Sequence, residues 1–194
     1  MNQLYPLKFE PIYKSRIWGG TRLREQLNKK NAPSDCGESW EISAVDQNVS
    51  VVANGFLEGN DLQELIEIYM GDLVGDSIYD RFGNEFPLLI KFIDANEKLS
   101  VQVHPDDELA LEKHQANGKT EMWYIIDAEP NAQNITGLKK GTTPQELIKK
   151  LENKTLDEIL VFEPVKKGDV VFIPAGRVHA TGKGILLAEI QQTS

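Results

Sequence analysis

The chain has 194 residues, 40% of them hydrophobic and 26% charged, with a formal net charge of −9. That is enough apolar material for one substantial core in a soluble protein, and too acidic for a general nucleic-acid binder, whose target demands a basic footprint. Cys36 is the only cysteine, which excludes an intrachain disulfide and fits a reducing cytoplasm.

No basic segment leads into an apolar one at the amino terminus, and no apolar run approaches the ~20 residues of a membrane span, so neither a secretory leader nor membrane insertion is expected. Early in the chain, Trp40–Ser43 and Val49–Val52 flank the polar Asp46-Gln47-Asn48, the pattern of a hairpin. Asn60 or Asp61 is placed to cap a helix in which Leu62, Leu65, Ile66 and Tyr69 recur at helical spacing.

Phe86–Asp94 is mostly apolar around Lys91, and after Asn96-Glu97-Lys98 the run Leu99–His104 follows, predicting two neighbouring buried strands. Residues two apart in a strand face the same way, so Ser100, Gln102 and His104 can address one pocket. Pro105 ends that strand, and Asp106-Asp107-Glu108 put negative charge at the start of a helix with His114 at its far end.

Glu121–Ile126 predicts a further strand. Thr143-Pro144-Gln145-Glu146 supplies an N-cap, a proline at the first helical position and a glutamate for a capping box, and Thr155 with Glu158 starts a shorter helix. Asp169–Pro174 and Gly184–Ile190 return to strands. Helices set irregularly among many short strands predict a mainly β fold of antiparallel sheet, with helical insertions near 61–70 and 143–160 in one domain spanning 1–194.

The spacing Gly168-x5-Pro174-x-Gly176-x2-His179 resembles the second motif of the cupins, jelly-roll barrels whose interior holds a metal. Adding Gln102-Val103-His104-Pro105, Lys119-x-Glu121-Met122, Ile17-Trp18-Gly19-Gly20 and Gly37-Glu38-Ser39-Trp40-Glu41-Ile42-Ser43, the chain resembles the type I mannose-6-phosphate isomerases in their short bacterial form. The resemblance runs from about Pro11 to Gln191.

It implies a zinc-dependent aldose–ketose isomerase that interconverts mannose 6-phosphate and fructose 6-phosphate. One Zn2+ per chain would be held by Gln102, His104, Glu121 and His179, whose single carboxylate leaves the metal a net +1 and favours an anionic ligand. Lys91 and Ser100 would bind the phosphorylated hexose, and Lys119, with Glu189 as the alternative, would carry the proton. The family resemblance allows a homodimer. Trp18, Trp40 and Trp123 are expected to pack the core and lid, and His114 to be exposed and uninvolved.

Two positions depart from the family pattern. Long-form relatives place a histidine before the pocket lysine, where this chain has Gly118. The family also has an arginine about ten residues beyond the stretch matching Glu189-Ile190-Gln191, and this sequence ends at Ser194, so a C-terminal truncation with weakened turnover is expected. A different class remains beside the enzyme: a cupin module that binds a sugar or sugar phosphate without turning it over.

Overall fold

The computed structural model describes residues 4–194. In chain order it runs β1 (Ile12–Gly20), the helical turn α1 (Arg22–Glu25), β2 (Cys36–Ile42), the short β3 (Ala44–Val45) and β4 (Asn48–Val49), and then α2 (Leu62–Tyr69), α3 (Gly71–Val74) and α4 (Asp76–Phe82). These are followed by β5 (Leu88–Ala95), α5 (Asp107–His114), β6 (Glu121–Ala128), β7 (Gln133–Leu138), α6 (Pro144–Glu152), β8 (Leu160–Pro164), β9 (Val170–Ile173) and β10 (Ile185–Gln192). Strands outweigh helices, in keeping with the mainly β expectation.

The principal sheet has the order β1-β2-β5-β10-β6-β9, with every pairing antiparallel. β7 and β8 form a separate two-stranded sheet, and β3 with β4 another. One face of the large sheet builds the main core from Ile93, Trp123, Ile125, Ile173, Ile185 and Leu187. The opposite face is covered over Cys36 and Leu186 by Leu23 of α1 and by Ala32.

α2 forms where the spacing predicts it, burying Leu62, Leu65 and Ile66, with Leu65 packed beside Val52 and Leu57. Its cap is Asp61 rather than Asn60: the Asp61 carboxylate accepts from the Glu64 N–H at 2.8 Å, and the Glu64 side chain reaches back to the Asp61 N–H. Asp61→Ala is expected to cost about 1 kcal/mol, lowering Tm by about 2–4 °C for a chain of this size. An unchanged Tm would mean that water caps the helix equally well.

The other caps are weaker than the sequence predicts. Thr143 accepts from the Glu146 N–H at 3.2 Å, but no return bond from Glu146 completes a box. Thr155 makes no side-chain cap, and Leu156–Ile159 winds as a single 3-10 turn.

Two strand expectations need correction. Leu99–His104 is an extended segment with one isolated bridge, Gln102 to His179, and it does not neighbour β5. The reason lies in the sheet: both edges of β5 are taken by β2 and β10, so no ladder is open to the returning chain. The early hairpin exists but is shorter than predicted, because Trp40–Ile42 belongs to β2, leaving Ala44–Val45 to pair with Asn48–Val49. β1, β7 and β8 lay beyond the sequence reading.

Among the described residues no helix is long and apolar enough to cross a membrane.

Candidate metal centre

Glu121 opens β6, and strand alternation puts Glu121, Trp123 and Ile125 on its buried face. His179 sits in the loop between β9 and β10. A reciprocal pair of backbone hydrogen bonds, each 2.9 Å, ties it to Gln102, and the Gly176 N–H donates to the His104 carbonyl at 2.8 Å. Gly176 has φ +79°, a left-handed turn that glycine enters without strain, so the loop folds back to carry His179 beside His104.

The two imidazoles converge on one carboxylate oxygen. His104 Nε2 lies 3.0 Å and His179 Nε2 3.3 Å from Glu121 Oε1, and the three donor atoms fall within 4.8 Å of one another. His179 Nδ1 is 2.8 Å from the Arg177 carbonyl, which can only accept. Nδ1 therefore holds the ring proton, and in the neutral imidazole Nε2 turns a lone pair toward Glu121.

A lone pair facing a carboxylate oxygen is repulsive unless a proton or a metal ion lies between them. Consistent with this, His104 Nε2 and Glu121 Oε1 are buried without a hydrogen-bond partner. Two imidazoles and a carboxylate, with one ring oriented by a backbone carbonyl, are donors that could hold a metal ion. Burial opposes the ionisation of Glu121, but hydrogen bonds that the imidazoles of His104 and His179 donate when Nε2 carries a proton, together with the charge of Lys119, outweigh it and hold the carboxyl well below its ordinary range. Glu121 is thus held anionic, the form a metal ligand would require.

Beside these donors lies a cavity of about 250 Å³, a volume suited to a small polar molecule. Ser100, Gln102, Lys91, Lys119, Glu121 and Glu189 all line it, while His104 reaches Glu121 from outside the lining. The structure therefore brings all eight sequence-predicted side chains to one place. Gln102 is exposed at the cavity wall beside His179. His114 is exposed at the end of α5, as expected.

Sheet register explains the convergence on the strand side. Trp40, Lys91, Glu189 and Trp123 stand abreast across β2, β5, β10 and β6. Lys91 Nζ lies 2.9 Å from Glu189 Oε1 and 3.9 Å from Glu38 Oε2, and Lys119 Nζ lies 3.5 Å from Glu121 Oε1. Burial disfavours charge on Lys91, but Glu189 and Glu38 outweigh it and raise its pKa. Burial, with Glu121 adding and Lys91 opposing, raises that of Glu189.

Sequence reasoning did not single out Glu38 as a site residue or Trp123 beyond its packing. Glu38 is buried at the cavity wall, accepting from Trp40 Nε1 at 2.6 Å and from Arg16 Nε at 2.9 Å. Burial opposes its ionisation, and Lys91, Trp40 and Arg16 together lower its pKa. Trp123 is only 2% exposed, as a core residue should be, yet its N–H contacts two site carboxylates. The available signal was the period of two: Glu38 precedes Trp40, and Trp123 follows Glu121, by one strand repeat.

Gly118 has a packing reason. A Cβ there would lie 2.5 Å from the Asp107 nitrogen and 2.5 Å from the Asp106 carbonyl carbon, at the start of α5, so no larger residue fits without moving backbone. Gly118→Ala is expected to displace neighbouring Lys119 and lower turnover more than it lowers Tm. Unchanged kcat/KM would show that the loop absorbs the methyl group.

Residues 6–129 match the family model described as phosphomannose isomerase type I, catalytic domain. The chain is 45% identical over 193 residues to the mannose-6-phosphate isomerase ManA of Bacillus subtilis, covering 97% of this chain and 58% of that protein. It is 42% identical over 189 residues to the mannose-6-phosphate isomerase of Streptococcus mutans, again covering 97% of this chain and 58% of the relative. It therefore spans a little under three-fifths of the length of these curated relatives.

Solved structures agree. A crystal structure of the mannose 6-phosphate isomerase from Bacillus subtilis superposes with a TM-score of 0.87 at 38% identity, over 97% of this chain and 59% of that one. A putative mannosephosphate isomerase from Archaeoglobus fulgidus gives 0.81 at 27% identity, over 96% and 62%.

Proposed function

The chain belongs to the type I phosphomannose isomerase family, and from that premise we propose that it is the catalytic part of an isomerase that interconverts mannose 6-phosphate and fructose 6-phosphate. The observation that carries the reading is the convergence of His104 and His179 on Glu121 beside a small polar cavity. His104, Glu121 and His179 would hold a single Zn2+, with the Gln102 amide oxygen, at the adjoining cavity wall, completing the set. Bound there, the ion supplies Lewis acidity toward a sugar carbonyl and the oxyanion that develops from it.

Moving a carbonyl between adjacent carbons requires one group to take a proton from one carbon and return it at the next. Lys119 and Glu189 both line the cavity, and in this reading one of them carries the proton, Lys119 first. Ser100 at the cavity wall and the charge of Lys91 would take the phosphate, with Lys91 shared between that anion and Glu189. The lining sets Arg16, Lys91 and Lys119 against Glu38, Glu121 and Glu189, so a divalent cation makes the site net positive and ready for an anionic sugar. The reducing cytoplasm is the setting that suits buried, unpaired Cys36.

A coupled assay for fructose 6-phosphate, run with metal, with chelator, and after re-addition of zinc, tests the proposal. Turnover that disappears and returns with zinc is the expected result. Binding of mannose 6-phosphate with no turnover at any zinc level would contradict it and identify a sugar-phosphate-binding module instead.

A further inference from the structure

We propose that Trp123 is a positioning residue of the metal centre: its single indole N–H ties the outer oxygens of Glu121 and Glu189 together, so that Glu121 offers one oxygen, and not two, to the metal position. The inference rests on the reading of His104, Glu121 and His179 as ligands.

Trp123 Nε1 lies 3.1 Å from Glu121 Oε2 and 2.8 Å from Glu189 Oε2. An indole N–H is a donor only, and here it is shared between two acceptors in a three-centre bond. The other oxygen of each carboxylate is engaged elsewhere: Glu121 Oε1 faces the two imidazoles, and Glu189 Oε1 faces Lys91 at 2.9 Å. Trp123 donates to both Oε2 atoms, and the two carboxyls also lie within hydrogen-bond reach of each other.

The ring itself is fixed. It is 2% exposed in the main core, Trp123 pairs with Glu189 across β6 and β10, and it stands edge-on to His179 with centroids 5.6 Å apart and planes at 71°. One rigid side chain thus sets the rotation of a ligand carboxylate and the place of the neighbouring acid, and packs against a ligand ring. Without the N–H, the two buried carboxyls lose the rigid donor that spans them, and Glu121 is free to turn its second oxygen inward. Partners that orient a ligand in this way typically govern metal affinity by about 10–100-fold.

The sharpest test deletes the N–H alone. Benzothienylalanine at position 123 keeps the bicyclic shape and replaces N–H with sulfur, and Trp123→Phe is its genetic counterpart. Ile125→Val, a fully buried neighbour on the same strand face, controls for disturbance of the core. Zn2+ affinity is measured by competition with a chromophoric chelator, and the Co2+-loaded proteins are compared by visible absorption, whose intensity reports coordination geometry.

Loss of the N–H should weaken Zn2+ binding by about 10–100-fold and alter the Co2+ bands as the second oxygen of Glu121 enters the coordination sphere, while Ile125→Val changes neither. If Trp123→Phe does not fold, the benzothienylalanine protein still decides. Wild-type affinity and an unchanged Co2+ spectrum in that protein would overturn the proposal and leave Trp123 a packing residue. A wild-type protein that binds no zinc would instead overturn the metal reading, with the packing unaffected.

Discussion

His179→Ala is expected to remove stoichiometric zinc binding and to lower kcat/KM for mannose 6-phosphate by at least ~10³. His179 is 3% exposed, its Nδ1 is fixed by the Arg177 carbonyl, and its Nε2 lies 3.3 Å from Glu121 Oε1. Removing it leaves one imidazole and one carboxylate, too few strong donors for a zinc site. A metal acting as a Lewis acid supplies several kcal/mol of transition-state stabilisation, and each ~1.4 kcal/mol is a factor of ten in rate. Chelator should reduce the wild type to the same level, and zinc should then restore the wild type but not the variant. A variant that keeps a tenth of the wild-type activity would contradict the assignment.

Lys91→Met is expected to destabilise the protein by about 3–5 kcal/mol, the usual consequence of removing one member of a buried charge cluster, which at about 2–4 °C per kcal/mol is a large drop in Tm. Lys91 sits between Glu189 at 2.9 Å and Glu38 at 3.9 Å, all three nearly out of solvent, so its loss strands Glu189 without a cation and leaves Glu38 to Arg16 alone. Adding Glu189→Gln to Lys91→Met should recover part of the stability, because the stranded charge is removed with its partner, and the two effects should be clearly non-additive. Thermal unfolding of the two single variants and the double variant checks this. Simple additivity would mean that the pair makes no energetic contact.

The site was more legible in the sequence than the fold around it. His104, Glu121 and His179 were readable because their spacing matched a family pattern and their chemistry suited one ion. The strand assigned to Leu99–His104 was not: local apolar pattern predicts an extended backbone, which is present, but whether a sheet edge is free to receive it depends on β2 and β10, far away in sequence. Lys91 shows the same limit. A lysine among apolar residues signals a buried charge, but its partners Glu189 and Glu38 are assigned only by the register of three strands.

Trp123 is the instructive case. As a large aromatic in a strand it is rightly expected in the core, and nothing in its immediate neighbourhood shows that its N–H also spans two acids. That dual role arises from β10 lying beside β6 in the register that sets Glu189 opposite Trp123.

The most direct measurement is an anomalous difference map from crystals grown with stoichiometric zinc, collected on either side of the zinc edge. A single peak within coordination distance of His104 Nε2, His179 Nε2 and one oxygen of Glu121 is the expected result. Zinc bound anywhere else, or no peak between the two imidazoles, would contradict it.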